Sequence, residues 1–390
     1  MASAKKKLIY VHHDGGLGGA PISLSFLIPC IPKALYDTRM LLIARGPVEK
    51  LFSSLDIAID IDEKIHPFHG STVSGMNIKL FVRNFLYLAQ SFIFSLRYMK
   101  SHQPDIVHLN SSCLFIVALA VKIVNRKTKV ICHVREPLLK YSICGTIMKF
   151  MNYLFVDHFI GIDQYAISTM RTKENYTIIY NSVDFDKFAV SRVYQKNLRT
   201  QLGIKKEDTL FLYLARVDES NGVLELLDAI SQFQHKYGND SASFIISGFR
   251  LNDNKRYLKK VNSVIGKMKK IYKLNFVEDV PTLLAQVDLV VVPFTKPHFA
   301  RCIIEASAMA LPSIGHHIPG VDELIKHGTT GYLYRANEEF VDLCALMINN
   351  IELRKKLSEN ALAFAKEEFD HRKNAEKVLT VYQRSISRKS

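Results

Sequence analysis

The sequence predicts an α/β protein of two doubly wound parallel-sheet domains, and three observations predict it. Short β-rich runs alternate with helical segments from Lys7 onward, the alternation restarts after Phe188, and a polar segment at 184–195 separates the two series. At 390 residues the chain is long enough for two domains of ordinary size, each with its own core. Its 48% hydrophobic and 23% charged residues describe a soluble globular protein and exclude a predominantly disordered one.

In the first series the predicted strands are 7–12, 39–44, 105–109, 129–134, 158–162 and 177–180. Helices lie between them, the first beginning around Pro21, whose fixed φ suits a first helical turn. In the second series they are 210–214, 243–247, 273–277, 289–293, 313–315 and 332–334, followed by charged helices at 338–348 and 351–387. Residues 1–187 and 188–370 therefore read as two domains, with 184–195 as the hinge. Ligands of open α/β sheets bind beyond the carboxyl ends of the strands, so two such domains facing each other would leave a cleft with glycine loops on both walls.

The formal charge of +15 is unevenly placed: residues 64–150 hold eight Lys and four Arg against Asp105 and Glu136. Such a patch asks for an anionic partner. No recognised nucleic-acid module accompanies it, so nucleic acid is set aside, and an anionic membrane surface met through residues 76–150 is the partner expected. Residues 76–101 read as one helix with Lys79, Arg83, Gln90 and Arg97 in a narrow stripe. Two readings stand: a core helix with one wet edge, or a helix resting on lipid with its cations near phosphates. The amino terminus lacks a signal peptide's apolar core and no apolar run is long enough to span a bilayer, so the expected location is cytoplasmic, peripheral to the inner face of the membrane. Six scattered cysteines lack a C-x-x-C pair and read as reduced core residues.

The most informative stretch is F-A-R-C-I-I-E-A-S-A-M-A-L-P-S-I-G-H-H-I-P-G-V-D-E-L-I-K-H-G-T-T-G-Y-L-Y-R, from Phe299 to Arg335. A helix starting near Ala300 would aim unpaired N–H groups and its positive dipole end beyond the preceding strand, where a diphosphate would sit between Phe299, Ala300 and Arg301. Glu305 falls in the same helix, where its carboxylate could accept two ribose hydroxyls. Gly320 marks a second candidate helix start. After the first strand, H-H-D-G-G-L-G-G-A-P brings four glycines, of which Gly18 and Gly19 could admit a phosphate close to the backbone. His133 ends the run V-I-C-H-V-R-E-P, with Arg135 and Glu136 beside it, while His108 and Asn110 are weaker candidates for the same cleft. Arg216 follows the strand L-F-L-Y-L-A, and its forked guanidinium suits bidentate phosphate binding. His12, His13 and Asp14 have metal-ligating side chains, but the sequence places no further ligand beside them, so no metal site is predicted.

In order and spacing, R-V-D-E-S-N-G at 216–222, the 299–335 stretch and Y-N-S-V-D-F-D-K-F at 180–188 resemble the donor-binding signature of retaining nucleotide-sugar glycosyltransferases, chiefly glycosyltransferase family 4. The resemblance implies the GT-B fold, two Rossmann-like domains facing across a cleft, with 371–390 crossing back to the first. It implies transfer of a sugar from a nucleotide diphosphate, with retention and no cofactor or divalent ion, to a lipid-linked or polysaccharide acceptor, as in bacterial envelope polysaccharide assembly. It assigns catalysis to His133, Arg216 and Glu305, and donor binding to Gly18, Gly19, Arg216, residue 221, Phe299, Ala300, Arg301, Glu305 and Gly320. Three positions depart from the family: Asn221 replaces a Lys, Pro297 replaces a Glu that contacts the donor sugar, and Ala300 replaces a Gly. They imply an unusual donor, weakened catalysis, or a different role on the same fold, either a non-catalytic subunit that binds glycan or a partner, or a nucleotide-sugar epimerase.

Overall fold

The computed structural model describes residues 4–72, 75–190, 197–238, 241–250 and 254–387, so the expected hinge at 184–195 lies outside the described residues from 191 onward. The chain divides into two compact units: residues up to Ser182 together with those from His371, and Val183–Asp370.

The first unit holds a seven-stranded sheet of β1 (Lys6–His12), β2 (Tyr36–Leu42), β3 (Ala58–Ile61), β4 (Ile106–Leu109), β5 (Lys129–Val134), β6 (His158–Gly161) and β7 (Tyr176–Ile178). The order is β3-β2-β1-β4-β5-β6-β7 and every pairing is parallel. Successive residues of a strand face opposite sides, so the apolar runs supply two cores at once. Leu8, Tyr10, Met40, Leu42, Ile106 and Ile131 pack on one side with Leu24, Phe52 and the C-terminal helix His371–Ser387, which contributes Val378, Val381 and Tyr382. Ile9, Val11, Leu41, Val107, Val130 and Cys132 pack on the other, under the helices Phe115–Val124 and Ile143–Phe155. Each such large side chain, fully buried, contributes about 1.5–3 kcal/mol.

The second unit repeats the plan with β8 (Thr209–Leu214), β9 (Ala242–Phe249), β10 (Ile271–Asn275), β11 (Leu289–Val292), β12 (Ser313–His316) and β13 (Gly331–Tyr334), in the order β10-β9-β8-β11-β12-β13 and all parallel. In each sheet the strand order reverses direction once, between β1 and β4 and between β8 and β11, and the segments leaving β1, β8 and β11 carry Gly18, Arg216, Phe299 and Ala300.

Three local expectations are corrected. β3 is an edge strand absent from the sequence reading, since A-I-D-I is half-exposed and polar at Asp60, which is held by Arg39 at 3.0 Å and by the Tyr98 hydroxyl at 2.6 Å. The single helix expected over 76–101 is two, Ile78–Leu86 and Leu88–His102, with Tyr87 between them at φ −97° and ψ 4°. Ring contact of Tyr87 with His66, centroids 4.2 Å apart, marks a tertiary contact at the break. The last helix is likewise two, Ile351–Glu368 and His371–Ser387.

Candidate active site

Chemistry in the second unit gathers where β8 and β11 end. Arg216 leaves β8 on a loop held by its own side chains: Asp218 accepts from the Asn221 amide at 3.1 Å and the Ser220 hydroxyl at 2.6 Å. The Asn221 side chain turns back to the Arg216 carbonyl at 2.9 Å and is buried, so it closes the loop. Gly222 is obligatory in this geometry. Its φ is +70°, and a Cβ there would lie 1.9 Å from the Pro293 carbonyl oxygen. That close approach, with Thr295 N donating to the Ser220 carbonyl at 3.0 Å, docks the Arg216 loop on the chain leaving β11. The Arg216 side chain is 56% exposed, its Nε 3.8 Å from Asp218. Burial first, and then the Arg216 guanidinium, hold the His298 imidazole below its ordinary pKa, so Arg216 and the 297–300 segment share one electrostatic neighbourhood.

The expected helix is present as Arg301–Ala308, with Ala300 as an N-cap that offers no side-chain oxygen. Phe299 and Ala300 are buried. Glu305 is half-buried and receives Arg301 Nε at 2.7 Å. Burial raises the Glu305 pKa, while Arg301 and then Lys187 pull it down. Burial pushes the Cys302 thiol up to about 12, so it packs as an unionised core residue. Gly320 has φ +89° and a Cβ there would meet the His298 carbonyl at 2.6 Å. It begins a turn, not the expected second helix, and its N–H is taken by Asp322 at 3.1 Å. Gly320 therefore packs against the 298 segment.

In the first unit Gly18 caps the helix Gly19–Leu27 in an extended conformation, and neither Gly18 nor Gly19 has positive φ. Nothing lies within 4 Å of a Cβ built on either, which leaves open space above the backbone. His133 is buried at the end of β5, and neither ring nitrogen has a hydrogen-bond partner. Burial, then Arg135 and His108, hold it well below the ordinary histidine pKa, so it is a neutral ring. Arg135 donates Nε and Nη2 to Asn110 Oδ1 at 3.0 and 2.8 Å and Nη1 to Asn181 Oδ1 at 2.6 Å. Glu136 accepts from the Ser71 hydroxyl. Beside His133 lies a cavity of about 20 Å³, room for one water-sized group, which Arg135, Asn181, His371 and Asn374 also line. The last three are residues to which the sequence reading gave no role. Only the N-S pair of the 180–188 motif pointed to Asn181, and nothing local pointed to His371 or Asn374. Among the described residues no group of three or more His, Cys, Asp or Glu side chains is arranged to hold a metal ion.

Residues 195–364 match the family model described as glycosyl transferases group 1. The alpha-D-kanosaminyltransferase of Streptomyces kanamyceticus is 23% identical over 232 residues, 58% of this chain and 59% of that protein. The N-acetyl-alpha-D-glucosaminyl L-malate synthase of Bacillus anthracis is 24% identical over 221 residues, 52% of each. The chain thus spans about half the length of these curated relatives. Among solved structures, Anabaena HepE in complex with UDP-glucose superposes with a TM-score of 0.77 at 21% identity, covering 97% of this chain and 99% of that one. A glycosyltransferase from Rickettsia africae gives 0.81 at 18%, covering 99% and 100%. The chain has the GT-B architecture, and the residues that match the glycosyl transferases group 1 model lie in its second unit.

Proposed function

We propose that this protein is a retaining glycosyltransferase that moves a sugar from a nucleotide diphosphate to a lipid-linked acceptor at an anionic membrane surface, in bacterial envelope polysaccharide assembly. The observation that carries the donor reading is the docking of the Arg216 loop on the segment that opens the Arg301–Ala308 helix, which groups a forked cation with the positive end of a helix dipole. As the bond from the sugar's anomeric carbon to the β-phosphate oxygen breaks, charge grows on the diphosphate, and these fixed donors stabilise it without a divalent ion. The departing phosphate oxygen takes the proton of the acceptor hydroxyl, which attacks from the same face, so configuration is retained. Glu305 holds the ribose, and neutral His133, with both nitrogens unengaged, is equipped to accept from or donate to a sugar hydroxyl.

The membrane part rests on the helices Ile78–Leu86 and Ile143–Phe155, which are neighbours through Asn84 Nδ2 and Cys144 Sγ at 3.4 Å. Ile78 is 84% exposed, Leu86 67%, Ile143 67% and Tyr141 94%, with Phe81, Phe85 and Phe150 also in solvent. Lys79 and Arg83 are exposed on the first of these helices and Lys140 in the turn before the second. An apolar face with a basic rim fits an interfacial helix pair. Among the described residues no helix is long and apolar enough to cross a membrane.

The test is a panel of UDP, GDP and dTDP sugars assayed for donor hydrolysis and for transfer. Loss of one charge-assisted phosphate contact is expected to depress activity roughly ten- to a hundredfold in Arg216→Ala. Undiminished activity in that variant would contradict the assignment.

A further inference from the structure

The Arg301–Glu305 pair is placed against the helix's own electrostatics. Arg301 is the first residue of its helix, and no acidic residue stands in the first turn, so its cation faces the positive end of the dipole. The i,i+4 order with the cation N-terminal is the disfavoured one. Helix stability therefore does not account for the pair, yet it is formed at 2.7 Å with the two side chains only 17% and 13% exposed. Asn221, where the resemblance expects a second phosphate-binding cation, spends its amide on the Arg216 carbonyl. Arg301 is then the cation built into the helix start, and its Nε occupies a carboxylate oxygen suited to a ribose hydroxyl.

We propose that Arg301 exchanges partners: it leaves Glu305 for the diphosphate when donor binds, which frees the carboxylate for the ribose. Ribose recognition thereby becomes conditional on phosphate, and the site rejects nucleosides. This inference rests on the donor-site reading above.

Binding of UDP and uridine, and of GDP and guanosine, to the full chain separates the possibilities, by calorimetry for the nucleotides and nuclear magnetic resonance titration for the nucleosides. In Arg301→Gln the diphosphate that binds the wild type should weaken about ten- to a hundredfold. Its nucleoside should tighten about two- to fivefold, because the competitor for Glu305 is gone. In Glu305→Gln the ratio of nucleoside to diphosphate dissociation constants should grow, since a neutral amide competes less with phosphate for Arg301 than a carboxylate does. Equal weakening of both ligands in Arg301→Gln, or no change in either, would overturn the exchange while leaving the donor site standing. Should Arg301→Gln fail to fold, the ratio in Glu305→Gln decides alone, and a constant or smaller ratio overturns the proposal. A wild-type chain that binds neither diphosphate removes the donor site and the exchange together.

Discussion

Acid should destabilise the first unit through His108. The ring is fully buried, its Nδ1 is 2.5 Å from the Tyr382 hydroxyl, and Tyr382 donates onward to Tyr10 at 3.1 Å. With the Tyr382 proton spent on Tyr10, Nδ1 of His108 carries the hydrogen and donates, which leaves Nε2 without a partner. Burial first, then the nearby Arg135, lower the pKa from 6.5 to about 3. Below pH 6.5 the unfolded chain binds a proton that the folded ring refuses, so this contribution to stability is full above 6.5 and is lost as pH falls toward 3. A full proton of difference costs about 1.4 kcal/mol per pH unit, and titration of the unfolded ring trims the loss between pH 7 and 5 to roughly 2 kcal/mol. The two units need not unfold together, so the readout belongs in the first: amide exchange protection of peptides covering β1 and β4, corrected for intrinsic rates, at pH 7, 6 and 5. His12 and His133 act in the same direction and persist in a His108→Gln variant, so the difference between variant and wild type isolates His108. The variant should be less stable at pH 7 but lose roughly 2 kcal/mol less on the way to pH 5. Parallel losses in the two proteins would refute the reasoning.

Gly222→Ala must strain a positive φ and collide with the Pro293 carbonyl, so the Arg216 loop should detach, with a stability loss of roughly 1–3 kcal/mol in thermal melts and a larger loss of donor binding. Gly18→Ala meets open space, so its melting temperature should be unchanged, while a fall in transfer rate would report a ligand approaching that backbone and an unchanged rate would remove Gly18 from the site. Ile78→Ser with Leu86→Ser should stay within about 0.5 kcal/mol of wild-type stability per exposed site yet reduce flotation with anionic liposomes, and undiminished flotation would clear this helix of membrane contact.

Much of the fold was legible because parallel strands buried on both faces leave uninterrupted apolar runs, as in L-I-Y-V of β1 and L-V-V-V of β11. β3 was not, since an edge strand buries little and shows no such run. The break at Tyr87 was hidden because the apolar rhythm continues through it, while the contacts beside it, to His66, come from outside the helix. In the site, Arg216 and the helix start at Arg301 could be read from strand exits. The inward turn of Asn221 and the engagement of Glu305 by Arg301 are side-chain choices that spacing does not reveal. His371 and Asn374 stand beside His133 only through tertiary packing across more than half the chain.

A crystal structure with bound nucleoside diphosphate tests the central claim most directly. Phosphate oxygens should lie roughly 3 Å from the Arg216 guanidinium and from backbone N–H groups at the start of the Arg301–Ala308 helix, with the ribose on Glu305. A nucleotide bound elsewhere, with Arg216 still turned to Asp218 and Arg301 still on Glu305, would contradict it.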